Sequence, residues 1–239
     1  MEIHLTSVNS TNTWVKDNYK ELDAQAITRV TASEQTKGRG RFNREWVSPK
    51  DQNIYVTYFF SVPKEIINLN SLAQLLCLSI AKLLAEHEMD PHIKWPNDLI
   101  VNSKKIGGIL CETIDFGKEY GIIIGAGLNV NMPPDMLEKI DQPATSFFNE
   151  LGKTFTLDPL IKQLDHFFLQ DLSLYKREGF KPFYMSYEAL LTHKGMPITL
   201  KQNGDSISGV LHSLNPDGRL NLLLPNGKIK TISSGEIKK

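Results

Sequence analysis

Apolar and polar positions in the first part of the chain predict a helix, two strands and a second helix. Alternation at 26–32 and the aromatic and β-branched residues at 53–60 predict the strands. Leucine and isoleucine recur at helical spacing between 69 and 88, which predicts a helix with one buried face. A shorter helix is predicted from Ser10, a suitable N-cap, to about Tyr19. The two strands should hold the ends of the loop between them.

A strand break is predicted at Pro96, because proline cannot donate to a strand ladder. One strand leads into Pro96 and another follows Asp98. Residues 102–105 predict a turn, 106–112 a strand and 120–130 a buried strand.

The next part of the chain is predicted to be helical. Residues 131–150 contain three prolines and predict a loop with one short helix. A longer helix should begin with Asp158 at the N-cap and Pro159 at the first helical position, and should end at Gly179. A short helix is predicted over 184–191.

After Gly195 the pattern changes to short strands separated by turns. The three predicted hairpin turns lie at Asn203-Gly204, 215–218 and 225–227. Such close spacing indicates a small β-barrel. We therefore expect an α+β protein whose mixed sheet and flanking helices occupy 1–192 and whose barrel occupies 193–239.

Composition limits the functional classes. The chain has 239 residues with a formal net charge of zero, which argues against a dedicated nucleic-acid binder but not against a local basic site. Cys77 and Cys111 have no metal-binding spacing and indicate free thiols. We expect no signal peptide, no membrane span and a cytoplasmic location.

The densest candidate chemistry lies in the loop at 33–46. It contains Gly38, Arg39, Gly40, Arg41, Arg44 and Trp46. The glycines allow positive φ and close approach, their amides can bind an anion, and arginine forks suit phosphate or carboxylate. With an aromatic face beside them, the loop predicts a planar anionic ligand. A solvated basic turn is the alternative.

Several other positions have two interpretations each. Ser10, Thr11 and Asn12 either cap a helix or bind a small polar group. Asn97 and Asp98 either form a turn or point into a site. Gly107 and Gly108 weaken a strand unless a ligand approaches it. Lys105 is a solvated charge unless its neighbours form a site. Asn129 could contact a base edge. Val130 replaces the third glycine of a dinucleotide fingerprint, which excludes that motif.

Taken together, these motifs resemble those of the biotin protein ligases. The resemblance rests on Ser10-Thr11-Asn12, residues 35–46, KWPND at 94–98, KIGGIL at 105–110 and GAGLN at 125–129, and the terminal Ser234-Gly235-Glu236-Ile237 is also similar. It covers nearly the whole chain. It implies a catalytic domain like those of class II synthetases, an SH3-like C-terminal barrel, and no N-terminal DNA-binding domain.

The resemblance also implies an activity. Biotin would react with ATP, with Mg²⁺ on the phosphates, to give biotinyl-adenylate and pyrophosphate. Biotin would then pass to one lysine of a biotin carboxyl carrier protein or domain, from acetyl-CoA carboxylase or a related enzyme. DNA and membranes are not expected as partners, and a homodimer is left open. The metal ligands are not specified.

Residue roles follow from the same resemblance. Lys105, Arg39 and Asp98 are expected to be catalytic, with Asp98 orienting the incoming amine. The expected biotin-binding residues are Ser10, Thr11, Asn12, Gln35, Gly38, Arg39, Gly40, Arg41, Lys105, Gly107 and Gly108. The expected ATP-binding and adenylate-binding residues are Arg39, Arg41, Arg44, Trp46, Asn97, Lys105 and Asn129.

Two other functions are possible alternatives to biotin ligation. Lipoate or octanoate ligases and transferases share the catalytic fold, although their RRxxGGGxVxHD pattern is absent. A nucleic-acid module could use the basic aromatic loop.

The sequence departs from the family pattern at one place, because biotin protein ligases often have Arg-Gly where this chain has Phe42-Asn43. Because asparagine tolerates left-handed backbone, the turn should survive there.

Overall fold

The larger layer of the molecule is a seven-stranded mixed sheet. The computed structural model describes residues 1–66, 69–202 and 204–238. The strands are β1 (Glu2–Val8), β2 (Thr28–Gln35), β3 (Asn53–Pro63), β4 (His92–Lys94), β5 (Asp98–Val101), β6 (Lys104–Asp115) and β7 (Glu119–Asn129). They lie in the order β1-β2-β3-β7-β6-β5-β4, with β1 and β2 parallel and the other neighbours antiparallel.

Helices cover both faces of this sheet. They are α1 (Thr11–Asn18), α2 (Leu69–Glu86), α3 (Pro134–Leu137), α4 (Phe147–Leu151), α5 (Leu157–Glu178) and α6 (Tyr184–Ala189). Strand β3 contacts the helices on both faces of the sheet, since successive side chains of a strand point to opposite faces. Tyr58 and Phe60 join the core under α2 and α5, whereas Phe59 packs with Val15 of α1. The prediction of an α+β fold is confirmed.

Most predicted elements are present, and the structure differs from the predictions at four places. Strand β1 was not predicted. Two short helices, α3 and α4, occupy the segment for which one was expected. Helix α5 begins at Leu157 with Thr156 as N-cap, not with Asp158, although it ends at Gly179 as predicted. The predicted four-residue turn is shorter, because Lys104 and Lys105 belong to β6 and the left-handed residues are Asn102 and Ser103.

The C-terminal segment forms a second, smaller sheet. Its strands are β8 (Pro197–Gln202), β9 (Asp205–Leu214), β10 (Leu220–Leu223), β11 (Ile229–Ile232) and β12 (Glu236–Lys238), in the order β11-β10-β9-β8-β12. The predicted turns at 215–218 and 225–227 join antiparallel strands. Asn203, in the first predicted turn, lies outside the described residues. The predicted small C-terminal β-structure is present as one antiparallel sheet, in which no ladder joins β11 to β12 among the residues described.

The two sheets are in direct contact. Gln74 of α2 donates from Nε2 to the Gly218 carbonyl at 2.7 Å, and Trp95 Nε1 donates to the same carbonyl at 3.4 Å. Buried residues of the small sheet, such as Leu200 and Leu211, belong to the same hydrophobic cluster as α2. The second sheet is therefore held against the segment that carries the strand break. None of the helices within the described ranges has the length and hydrophobicity needed to cross a membrane.

Candidate functional site

A cavity of about 380 Å³ lies on the face of the larger sheet that carries α1. The predicted site residues that line it are Ser10, Thr11, Asn12, Gln35, Arg39, Gly40, Arg41, Arg44, Trp46, Asn97, Asp98, Lys105, Gly108 and Asn129. Residues from distant parts of the sequence thus converge on one space. Gly38 and Gly107 were predicted with them and lie outside the cavity wall.

The arginine loop, residues 36–46, owes its shape to a close contact and a left-handed turn. A Cβ on Gly38 would lie 2.3 Å from the Trp46 carbonyl oxygen, so only glycine fits there. Gly40 has φ −109°, and its amide donates to the Arg44 carbonyl at 2.7 Å. Gly40 therefore does not use the positive φ that glycine allows, and its amide is bonded within the loop and not available to an anion. Phe42 and Asn43 have φ values of 57° and 59°, so the expected left-handed turn is present.

The arginines of this loop are held by acceptors from other elements. Arg39 pairs with Glu112 of β6 at 2.5 Å, and Arg44 pairs with Glu236 of β12 at 2.5 Å. Arg41 donates to Asn97 Oδ1 at 3.0 Å and to the Gly235 carbonyl at 3.2 Å. The loop is therefore tied both to the larger sheet and to the C-terminal sheet.

The strand break places a lysine beside a carboxylate. Asp98, the first residue of β5, lies with its Oδ1 2.8 Å from Lys105 Nζ. Asn97 donates from Nδ2 to the Ile109 carbonyl at 2.6 Å, and buried Tyr187 donates its hydroxyl to the Pro96 carbonyl at 2.8 Å. Residues 95–97 form the turn between the antiparallel strands β4 and β5, and these bonds hold its backbone. Both interpretations of Asn97 and Asp98 therefore apply, because the two side chains also line the cavity.

The N-terminus of α1 forms the opposite end of the cavity. Ser10 stands at the N-cap but makes no side-chain capping bond, so the simple capping interpretation does not hold for it. Gln35 Oε1 accepts from the Thr11 amide at 2.9 Å. The Thr57 hydroxyl lies 2.7 Å from Asn12 Oδ1 and 2.8 Å from Thr11 Oγ1. This end offers neutral donors and acceptors, most of them buried.

Two glycines of β7 provide the space between the ends, and the predicted site did not include them. A Cβ on Gly125 would lie 2.1 Å from Asn12 Oδ1, and a Cβ on Gly127 would lie 2.3 Å from Trp46 Nε1 and Cε2. Residues two apart in a strand lie on the same face of the sheet, so the spacing of these two glycines could have identified them from the sequence. A Cβ on Gly108 would lie 3.2 Å from Lys105 Cε, a tight contact that the flexible lysine side chain can relieve by a small shift.

Trp46 and Asn129 both line the cavity. The Trp46 Nε1 is buried without a hydrogen-bond partner, and the edge of the indole that carries it lies against Gly127. Asn129 is 2% exposed, and its Nδ2 donates to the Thr145 carbonyl at 3.0 Å.

Three cations of the cavity wall, Arg41, Lys94 and the exposed Lys139, have no carboxylate partner among the described residues. Arg41 and Lys94 form no ion pair with any of the described residues, whereas Arg39, Arg44 and Lys105 do. Burial lowers the pKa of both Arg41 and Lys94, opposed by the nearby charge of Asp98. A partly buried, unpaired cation is costly, so a negatively charged ligand is favoured here. Sequence reasoning did not select Lys94, Glu112 or Glu236, because their contacts come from remote segments.

Within the described part of the chain, no three His, Cys, Asp or Glu side chains are grouped so as to hold a metal ion. The nearby carboxylates of Asp98, Glu112 and Glu236 are each paired with a cation of the cavity.

Comparison with known proteins gives a consistent picture. Residues 5–129 match the biotin/lipoate A/B protein ligase family, and 193–239 match the biotin protein ligase C-terminal domain. The bifunctional ligase/repressor BirA of Escherichia coli is 30% identical over 237 residues, covering 98% of this chain and 72% of BirA. The biotin–[acetyl-CoA-carboxylase] ligase of Mycobacterium tuberculosis is 27% identical over 219 residues, covering 87% and 77%. The structure of biotin protein ligase from Aquifex aeolicus in complex with biotin and ATP superposes with a TM-score of 0.82 at 29% identity, covering 99% of this chain and 97% of that one.

Proposed function

Since the chain belongs to the biotin/lipoate A/B protein ligase family, we propose that it activates biotin with ATP and transfers the biotin to a lysine of an acceptor protein. The observation that carries this proposal is the charge of the cavity. Arg41 and Lys94 face it without carboxylate partners, beside the paired cations Arg39, Arg44 and Lys105. Such a wall suits two anionic substrates that must be brought together.

The first half-reaction joins the biotin carboxylate to the α-phosphate of ATP. Two such anions about 4 Å apart repel by roughly 4 kcal/mol at an effective dielectric constant near 20. Cations fixed in advance offset this repulsion and stabilise charge that develops as pyrophosphate leaves. We assign that role to Lys105, which Asp98 holds at 2.8 Å, and to Arg41, which Asn97 holds at 3.0 Å.

The two ends of the cavity suit different parts of the substrates. The neutral, buried end at Ser10, Thr11 and Gln35 suits the ureido ring of biotin, whose donors and acceptors are costly to leave unpaired. The end formed by the Trp46 ring and Asn129 suits adenine. In this arrangement the biotin carboxylate and the α-phosphate meet near Lys105.

Magnesium is best assigned to the substrate. Mg²⁺ commonly reaches phosphate-transfer sites through nucleotide phosphates, with few protein ligands. The described residues offer no cluster of three metal-binding side chains. We therefore propose that ATP enters as its Mg²⁺ complex.

The acceptor is proposed from the relatives. The Mycobacterium tuberculosis relative is a biotin–[acetyl-CoA-carboxylase] ligase. We propose that the acceptor here is a biotin carboxyl carrier protein or domain of such a carboxylase. The division of the chain at residue 193 and the expected lack of DNA binding remain predictions, and the oligomeric state is left open.

Pyrophosphate release tests the proposal directly. We expect release when the protein is mixed with MgATP and biotin, and none when lipoate replaces biotin. Isothermal titration with each acid separates binding from chemistry. Release driven by lipoate would assign the chain to the lipoate branch of its family. If folded protein released no pyrophosphate with either acid, a ligase function would be contradicted and a binding protein would be favoured.

Asp98 is expected to act mainly in the second half-reaction, where it orients the acceptor amine and accepts its proton. Asp98→Asn keeps the side-chain shape but removes the base, and general-base catalysis is commonly worth about 10²–10⁴-fold. Supplied with preformed biotinyl-adenylate and acceptor, this variant should transfer biotin at least about 100-fold more slowly than wild type.

A control variant makes the Asp98 test specific. Asp90 lies outside the cavity before β4 and is exposed. Asp90→Asn should therefore transfer biotin normally. Near-normal transfer by Asp98→Asn would remove Asp98 from the mechanism.

A further inference from the structure

Glu112 contacts two residues of the biotin end without lining the cavity itself. It lies on β6, with its side chain 22% exposed. Its Oε2 accepts from Arg39 Nη2 at 2.5 Å and from Asn12 Nδ2 at 3.1 Å. A salt bridge alone would need no second partner, so the contact with Asn12 suggests a more specific role.

The Asn12 amide has one orientation that satisfies its neighbours. Its Nδ2 faces the Leu110 carbonyl at 3.2 Å and the Glu112 carboxylate at 3.1 Å. A carboxylate and a carbonyl can only accept, so the amide nitrogen must face them. Asn12 Oδ1 is therefore turned toward Thr57, whose hydroxyl oxygen lies 2.7 Å away.

This orientation determines the direction of the next hydrogen bonds. Thr57 has one hydroxyl hydrogen, and Asn12 Oδ1 requires it. Toward Thr11 Oγ1, at 2.8 Å, Thr57 can then offer only its oxygen. The Thr11 hydrogen is directed at that oxygen or at Gln35 Oε1, which is 3.2 Å away. In both cases Thr11 keeps its hydrogen within the protein and presents lone pairs to the cavity.

We propose that Glu112 is a positioning residue that makes the Thr11 hydroxyl a hydrogen-bond acceptor toward the ligand. This end of the cavity would then select a ligand that carries an N–H group, such as the ureido ring of biotin. The proposal rests on the proposed biotin-activating function and deepens it, because it names a residue that sets specificity through Asn12 and Thr57. Glu112 also holds Arg39 beside the same end of the cavity.

Two substitutions distinguish this role from a general effect on folding. Glu112→Leu removes both acceptor atoms and leaves Asn12 Nδ2 with the Leu110 carbonyl alone. Glu112→Gln keeps one oxygen that can accept from Arg39 and Asn12. Asp115→Asn is the matched control, because Asp115 is a salt-bridged carboxylate on the same strand and lies outside the cavity wall.

The measurements are the Kd for biotin by isothermal titration, the KM for ATP in pyrophosphate release, and the thermal midpoint. For Glu112→Leu we expect the Kd for biotin to rise by about tenfold, the size of one lost hydrogen bond, while the KM for ATP stays within about twofold. Glu112→Gln should fall between Glu112→Leu and wild type, and Asp115→Asn should match wild type.

Other outcomes would overturn the role of Glu112. These are a normal Kd for biotin in Glu112→Leu, or equal losses for biotin and ATP. Absence of biotin-dependent release by the wild type would contradict the proposed function instead, so the two failures are distinguishable.

Discussion

Replacing Lys105 by alanine should abolish most biotin-dependent pyrophosphate release. The Nζ of Lys105 lies 2.8 Å from Asp98 and faces the cavity beside Gly108, where the two reacting anions would meet. Removing one donor that stabilises developing charge typically lowers kcat by about 10²–10³-fold. We expect a loss of that size in kcat, measured as pyrophosphate release at saturating biotin and MgATP.

The adjacent lysine supplies the control for this experiment. Lys104 carries the same charge on the same strand but is exposed and does not line the cavity. Lys104→Ala should therefore keep kcat near the wild-type value. If both variants lost activity equally, overall charge would be responsible. If Lys105→Ala kept full activity, another cation, such as Arg41 or Lys94, would have to carry the role.

Adding a single methyl group at Gly127 should impair use of ATP more than binding of biotin. The new Cβ would lie 2.3 Å from Trp46 Nε1 and Cε2, so the indole must move away from the cavity floor. Overpacking in a well-packed site costs about 1–3 kcal/mol, which corresponds to roughly 5-fold to 150-fold in affinity. We expect Gly127→Ala to raise the KM for ATP within that range and to leave the Kd for biotin nearly unchanged.

The neighbouring glycine on the same face provides the opposite test. A Cβ on Gly125 would lie 2.1 Å from Asn12 Oδ1, at the biotin end. Gly125→Ala should therefore raise the Kd for biotin and leave the KM for ATP nearly unchanged.

A double variant tests the clash with Trp46 itself. Trp46→Phe, which removes the second ring of the indole, should restore part of the loss caused by Gly127→Ala. Equal effects of both glycine variants on both substrates, with no rescue by Trp46→Phe, would contradict the division of the cavity into two ends.

The sequence by itself determined most of the secondary-structure elements and which residue types would line the cavity. Periodicity is local information, so helix α2, strands β3 and β7, and the strand break at Pro96 could be predicted from it. The glycine, arginine and lysine motifs also indicated which residue types would meet a ligand. All the predicted site residues except Gly38 and Gly107 line one cavity.

Only the tertiary structure decided which partners these residues have. Glu112 is 73 positions from Arg39, and Glu236 is 192 positions from Arg44, so no local pattern links either pair. The role of Gly38 also depends on a remote contact, since its missing side chain makes room for the Trp46 carbonyl and not for a ligand.

In the C-terminal sheet, too, the contacts between remote segments could not be predicted from local sequence. Its turns were predictable from asparagine, aspartate, proline and glycine, because those residues set local backbone angles. Whether its edges would close into a barrel, and that Gly235 and Glu236 would hold two arginines of the loop, depended on packing between distant segments. Local propensity therefore determined most of the elements, and long-range packing determined the charge pattern of the site.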